Sequence, residues 1–191
     1  MGWTVNQQDQ TRAKRLETLR GAMAAAGFDG WIIGREDMYQ GEEVPAGDER
    51  LAYLSGFTGS AGFAVVLGDR AGLFSDGRYS LQMPAQTNSA AWDCSTIPDV
   101  TCEDWLKTAG LASGAIIAID GRLVTVSGFR RFEKSVLAAG GKLVCYHENL
   151  LDQQWHDRPA LPPAASWRMP IENAGKSLAE KSADLAAYLD V

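Results

Sequence analysis

Four segments of the chain hold side chains of the kind that do chemistry. From Arg35 to Gly47 a polar stretch carrying Pro45 is long for a connection inside a compact domain, and such loops are where binding residues concentrate. Its Asp37, Tyr39 and Gln40 are hydrogen-bonding groups suited to the rim of a cleft, with free surface as the equal alternative. In Asp76-Gly77-Arg78-Tyr79, an Asp-Gly turn at a strand end throws out a guanidinium, a group that can clamp a carboxylate through two parallel bonds. An ion pair within the domain or a solvated turn competes with that reading on at least equal terms. Thr58-Gly59-Ser60-Ala61-Gly62 differs by its threonine from a nucleophile elbow. An elbow needs a strand before the serine and a helix after it, and here a strand follows, so Ser60 is not expected to attack anything. The glycines around it lack a P-loop lysine and open no helix, so they predict tight turns beside a sheet. Cys145-x-His147 supplies two metal donors, but no second pair exists to complete a tetrahedral zinc. Glu42-Glu43 and Glu103-Asp104 are neighbours in sequence and read as solvated loop or helix-start charges.

Composition narrows what these groups can serve. The chain has 191 residues, 46% hydrophobic and 22% charged, enough for one well-cored domain and a remainder. Eighteen basic against twenty-four acidic residues give a net charge of −6, with no run of like charge, which argues against nucleic acid as a partner. Met1 to Asn6 has neither a charged start nor an apolar core of a signal peptide, and no apolar stretch approaches the roughly 18 residues of a membrane span. Three scattered cysteines, Cys94, Cys102 and Cys145, suit a reducing cytoplasm.

The elements that must position the candidate groups follow from periodicity and punctuation. Leu16, Leu19, Met23 and Ala26 recur at helical spacing within Thr11 to Ala26, with Gly27 as the stop. Trp31 to Ile33 predicts a buried strand, and Asp48 is expected to cap a short helix presenting Leu51 and Leu54 and ending at Gly56. Phe63–Leu67 and Ala71–Ser75, joined by Gly68-Asp69-Arg70, predict a hairpin. A helix is expected from Tyr79 to Gln86, kinked by Pro84. A strand near Trp92–Ile97 leads to Thr101 as a helix cap, followed by a strand at Ala115–Ile119, a helix capped by Ser127, and a last strand at Lys142–Tyr146. About six strands with helices between them predict an α/β domain with a mixed sheet covered on both faces. That domain is expected to span residues 1–156. Pro159, Pro162, Pro163 and Pro170 then predict a semi-stiff linker over 157–176. Ser177-Leu178-Ala179-Glu180 starts a capped helix over 177–191 whose apolar stripe has nothing to pack on, as expected of a second domain that is cut short. A terminal helix docked back on the first domain is the other reading.

Ser55-Gly56-Phe57-Thr58-Gly59-Ser60-Ala61-Gly62, Asp76-Gly77-Arg78-Tyr79-Ser80-Leu81-Gln82, Asn149-Leu150-Leu151-Asp152 with Trp155 and Asp157-Arg158-Pro159, and Ala174-Gly175-Lys176-Ser177 with Glu180-Lys181 occur in this order. Together they resemble the N-terminal region of cytosolic Xaa-Pro aminopeptidases, of the creatinase/prolidase/aminopeptidase P family of metallopeptidases, from about Arg15 to the end of the chain. The resemblance implies a creatinase-type first domain, a second domain of similar fold, and a catalytic domain. In that last domain two Asp, one His and two Glu hold two divalent metals, manganese or zinc, and a metal-bridging hydroxide attacks the bond before proline. Those ligands are expected beyond Val191, so the present chain is expected to hold no metal and hydrolyse nothing by itself.

On this reading it caps the catalytic cleft, with Asp37, Tyr39, Gln40 and Arg78 facing it. Its partners would be the chain's own remaining domains, a peptide with proline second, and a second copy in a homodimer. The loop departs from the family pattern, with Tyr39 in place of histidine and Glu43 in place of tyrosine; Tyr39 can donate a hydrogen bond but cannot take up a proton near neutral pH. A stand-alone binding or regulatory module, or the first domain of a creatinase- or prolidase-type hydrolase, are the alternatives.

Overall fold

A computed structural model describes residues 5–189. The chain divides into two compact units between Leu161 and Pro162. In the first, a six-stranded sheet has the order β4-β3-β2-β1-β5-β6, with β1 at Gly30–Gly34, β2 at Phe63–Leu67, β3 at Ala71–Asp76, β4 at Asp93–Ile97, β5 at Ile116–Asp120 and β6 at Lys142–Tyr146. The pairs β1·β5, β5·β6 and β3·β4 are parallel, while β2 runs antiparallel to both β1 and β3. The expected mixed sheet, including the hairpin, is therefore present.

Alternation along the strands divides the core. Trp31, Ile33, Ala64, Val66 and Leu73 face one side, where they meet Leu16, Leu19 and Met23 of α1 (Val5–Ala25), Leu51 and Leu54 of α2 (Arg50–Ser55), and Met83 of α3 (Gln82–Gln86). Ile32, Val65, Phe74 and Ile117 face the other, against Trp105 and Leu106 of α4 (Cys102–Thr108) and Phe132 and Val136 of α5 (Val126–Ala138). Both faces are covered, as the composition of the strands required.

Several local expectations are corrected. The first helix starts six residues earlier than Thr11, and Ala26 lies beyond its end and is exposed. Asp48 does not cap α2; it sits in a 3-10 turn over Ala46–Asp48, because its carboxylate is taken by arginines. The cap of α5 is Thr125, whose hydroxyl accepts from the Gly128 N–H at 3.0 Å. Pro84 kinks nothing: it is the third residue of α3, inside the first turn, where a backbone N–H has no partner in the helix to lose. Thr101 caps α4 in a reciprocal box with Asp104 as expected.

In the second unit, α6 (Ile171–Ala174) precedes α7 (Leu178–Leu189). Ser177 and Glu180 exchange hydrogen bonds at the start of α7, and Leu178, Leu185, Tyr188 and Leu189 are exposed.

Candidate functional site

Strand direction decides where the candidate groups lie. Because β1, β3, β4, β5 and β6 all run the same way, their carboxyl ends share one edge with the amino end of β2. The loop after β1, the Thr58–Gly62 segment before β2, the Asp76 turn after β3 and the Asn149 segment after β6 all converge there. The chain leaves β1 toward β2, β3 and β4 and returns to the other side at β5. Such a reversal opens a crevice beyond the strand ends, the usual ligand position in open α/β sheets.

Asp37 is buried, and its Oδ1 accepts the backbone N–H groups of Tyr39 at 2.9 Å and Gly41 at 3.0 Å. It therefore shapes its own loop. Gln40 adopts a left-handed φ of 55°. Its Nε2 donates to the carbonyls of Asp37 at 3.0 Å and Leu123 at 3.1 Å, fastening the loop to the segment after β5. The Tyr39 ring between them is 78% exposed. Arg78, on the β3 side of the edge, folds back on its own turn, with Nε and Nη2 donating to Asp76 Oδ1 and Oδ2 at 2.9 and 2.8 Å. The guanidinium and the Arg78 N–H hold the Asp76 carboxyl down at about 2.

The glycine-rich segment and the Asp76 turn hold each other. Tyr79 Oη accepts the Ser60 N–H at 3.0 Å and lies 2.7 Å from Ser60 Oγ, which lowers the Tyr79 pKa. Thr58 N–H donates to Gln86 Oε1 at 2.9 Å. Gly62 has a φ of 152°, and a Cβ there would sit 2.8 Å from the Phe74 carbonyl oxygen, so no other residue fits without displacing the hairpin. These residues are scaffold, and Ser60 has no imidazole beside it in this arrangement.

Sequence reasoning missed the buried charges beneath the edge. Arg50, 4% exposed, grips Asp152 through Nε and Nη2, while its Nη1 stands 3.0 Å from Asp48 Oδ1 as an ion pair without hydrogen-bond alignment. Arg158 joins Asp152, Asp48 and the Gly47 carbonyl. Asp120, at the end of β5, is 2% exposed. Burial pushes its pKa up, but bonds from the side chain and N–H of Arg122 and from Asn149 Nδ2 prevail, and the net shift is downward. A signal existed, since Asn149, Asp152 and Arg158 recur in one motif, but their partners are far away in the chain.

The crevice at the β1/β5 reversal, walled by Gly34, Arg50, Asp120 and Asn149, has a volume of about 50 Å³, room for a few waters. A larger cleft of about 420 Å³ opens beside it over β2 and β3, floored by Phe63, Phe74 and Phe132. Among the described residues no three His, Cys, Asp or Glu side chains come together as a metal set, so these residues do not fit a di-metal centre. Among the described residues no helix is long and apolar enough to cross a membrane.

Residues 15–153 match the Creatinase/Prolidase N-terminal domain. A probable Xaa-Pro aminopeptidase P of Arthroderma otae is 38% identical over 175 residues, covering 88% of this chain and 27% of the relative. Its counterpart in Aspergillus fumigatus is 37% identical over 184 residues, covering 93% of this chain and 27% of the relative. Among solved structures, the X-prolyl aminopeptidase of Caenorhabditis elegans, described as a cytosolic enzyme with a di-nuclear active site, superposes with a TM-score of 0.82 at 30% identity. That match covers 94% of this chain and 31% of the nematode chain. The N-terminal domain of the cytoplasmic peptidase PepQ from Mycobacterium tuberculosis matches with a TM-score of 0.56 at 25% identity, over 73% of this chain and 97% of that one. The chain thus spans less than a third of the length of the two fungal relatives and of the nematode enzyme.

Proposed function

The chain belongs to the creatinase/prolidase N-terminal domain family, and on that premise we propose that it is the non-catalytic first domain of an Xaa-Pro aminopeptidase, which releases the residue preceding proline. The observation that carries this reading is the nematode superposition, which extends over 94% of the chain, past the family domain and into the proline-rich segment. The two divalent metals, manganese or zinc, belong to the catalytic domain of such a protein, and the present residues serve around that site. The domain organisation follows: residues 1–156 as the first domain, 157–176 as the linker and 177–191 as the opening helix of a second domain. A cytosolic location is supported by the similarity to the nematode enzyme, itself described as cytosolic.

In this reading the shared carboxyl edge faces the catalytic cleft and restricts what enters it, and the same domain contributes to a homodimer. Asp37 and Gln40 hold the loop in shape, so that the exposed Tyr39 presents its hydroxyl as a hydrogen-bond donor. Arg78 supplies a charge whose direction is set by Asp76. The test is kinetic. The full-length protein should cleave an Xaa-Pro peptide with added Mn²⁺ while the 191-residue chain does not, and Arg78→Ala in the longer protein should change KM or the preferred peptide length. Unchanged kinetics in that variant would remove Arg78 from the cleft, and absence of Xaa-Pro cleavage by the full-length protein would overturn the assignment.

A further inference from the structure

The cleft over β2 and β3 has a composition that selects a ligand class. Its floor is aromatic: Phe63 stacks on Phe74 with ring centroids 4.7 Å apart, and Phe132 meets Phe63 edge-on at 4.9 Å. The Cys102 thiol beside them is pushed up to about 12 by burial, so that wall also stays uncharged. The polar groups lining the cleft divide sharply. Ser75 Oγ is spent on the Ala61 carbonyl, Asp76 on Arg78, Thr101 on its helix cap and Ser135 Oγ on the Arg131 carbonyl. Among the described residues, the Glu36 carboxylate and the Arg131 guanidinium have no hydrogen bond or ion pair.

Glu36 folds back over Gly34 at the end of β1, where a Cβ on residue 34 would collide with its carboxylate. Arg131 projects from α5 beside the Phe132 ring, 5.5 Å from its centroid. Both border the small crevice and the larger cleft, so one free anion and one free cation mark the junction above an apolar floor.

We propose that this cleft binds a small zwitterion with an apolar body, a free amino acid or a dipeptide, its ammonium on Glu36, its carboxylate on Arg131 and its side chain over the half-buried Phe63 and the edge of Phe132, with Phe74 packed beneath them. Two opposite unpaired charges recognise a molecule bearing both complements and discriminate against one bearing only one of them. The volume of about 420 Å³ falls within the range of about 300–1,000 Å³ usual for small-ligand sites. The proposal stands on the cleft alone and is independent of the peptidase assignment, since binding is measured without catalysis.

Amide chemical shifts of the 191-residue chain titrated with L-leucine and with L-leucyl-L-leucine test it. Saturable shifts at Gly62, Phe132 and Ser135 are expected for at least one of them, and the tighter of the two identifies the natural length. N-acetyl-L-leucine, lacking the ammonium, and L-leucinamide, lacking the carboxylate, should each bind about tenfold more weakly than L-leucine. Glu36→Gln should abolish the discrimination against the acetylated compound, and Arg131→Gln that against the amide. Both residues are exposed, so both variants should keep the parent spectrum elsewhere. Absence of saturable shifts with either zwitterion, or equal affinities for all the leucine compounds in the parent chain, would overturn the site.

Discussion

Arg50 and Asp152, 102 residues apart in sequence, are joined by two parallel hydrogen bonds, Nε to Oδ1 at 2.7 Å and Nη2 to Oδ2 at 2.8 Å. The pair ties α2 to the segment after β6, and Asp48 and Arg158 extend it into a group of two cations and two anions. The charges balance, so the guanidinium tolerates burial that an isolated ion would not. Replacing one member strands the others. Asp152→Ala leaves two guanidiniums sharing Asp48 and removes charged hydrogen bonds from Arg50, so it is expected to destabilise the domain by about 2–3 kcal/mol, read as a lower urea midpoint. Arg50→Lys should fail to restore stability, because an ammonium cannot make both bonds to Asp152 at once.

A second prediction concerns close packing on the opposite face. A Cβ on Gly72 of β3 would lie 2.8 Å from Cε2 and 2.9 Å from Cδ2 of Trp105. That ring is buried in α4 and holds Asp93 Oδ2 through its indole N–H at 3.0 Å, so it has little room to retreat. Gly72→Ala should cost about 1–3 kcal/mol through overpacking, whereas Gly68→Ala, with nothing within 4 Å, should be close to neutral. Thermal melts of the two variants side by side check the contrast.

The Asp76–Arg78 turn should be visible by carboxyl titration. Its side chain should titrate at about 2 in place of the usual 3.8. A carboxyl lowered in the folded state stabilises above its ordinary pKa, and that contribution is lost as the pH falls from the ordinary value toward about 2. Arg78→Gln should move the midpoint up, since the principal cause is the side-chain bond from Arg78. Carbon-detected NMR of the Asp76 carboxyl gives the readout.

The three free thiols should react in a fixed order. Cys145 is exposed, Cys94 half-buried and Cys102 buried, with burial raising the last to about 12. Burial, Asp120 and Glu133 raise the Cys145 thiol as well, but it stays accessible; because the thiolate is the reacting species, iodoacetamide should label Cys145 ahead of Cys102, and Cys102 only once the domain unfolds. Mass spectrometry of timed samples would show any early labelling of Cys102, an outcome incompatible with its burial at the start of α4.

Much of the fold was legible in the residues because its signals are local. Val65 alternates with its neighbours across a pleat, Gly56 permits the left-handed turn that ends α2, and Thr101 with Asp104 caps α4. Each operates within a few positions, the range over which backbone conformation and side-chain periodicity act. One of the local errors has a tertiary cause. Asp48 has the right chemistry for a helix cap, but two arginines outcompete the backbone for its carboxylate.

The candidate site is different in kind. Sequence alone determined that the Arg35–Gly47 loop is polar, that Asp76-Gly77 turns, and that the chain carries the marks of its family. Only the tertiary structure decided that Tyr79 meets Ser60, that Arg50 meets Asp152, and that Glu36 and Arg131 border one aromatic cleft. The physical reason is strand order: β5 pairs beside β1 after an excursion through β2, β3 and β4. That choice brings distant strand ends to one edge, and it is made by the packing of whole faces, which no local pattern encodes.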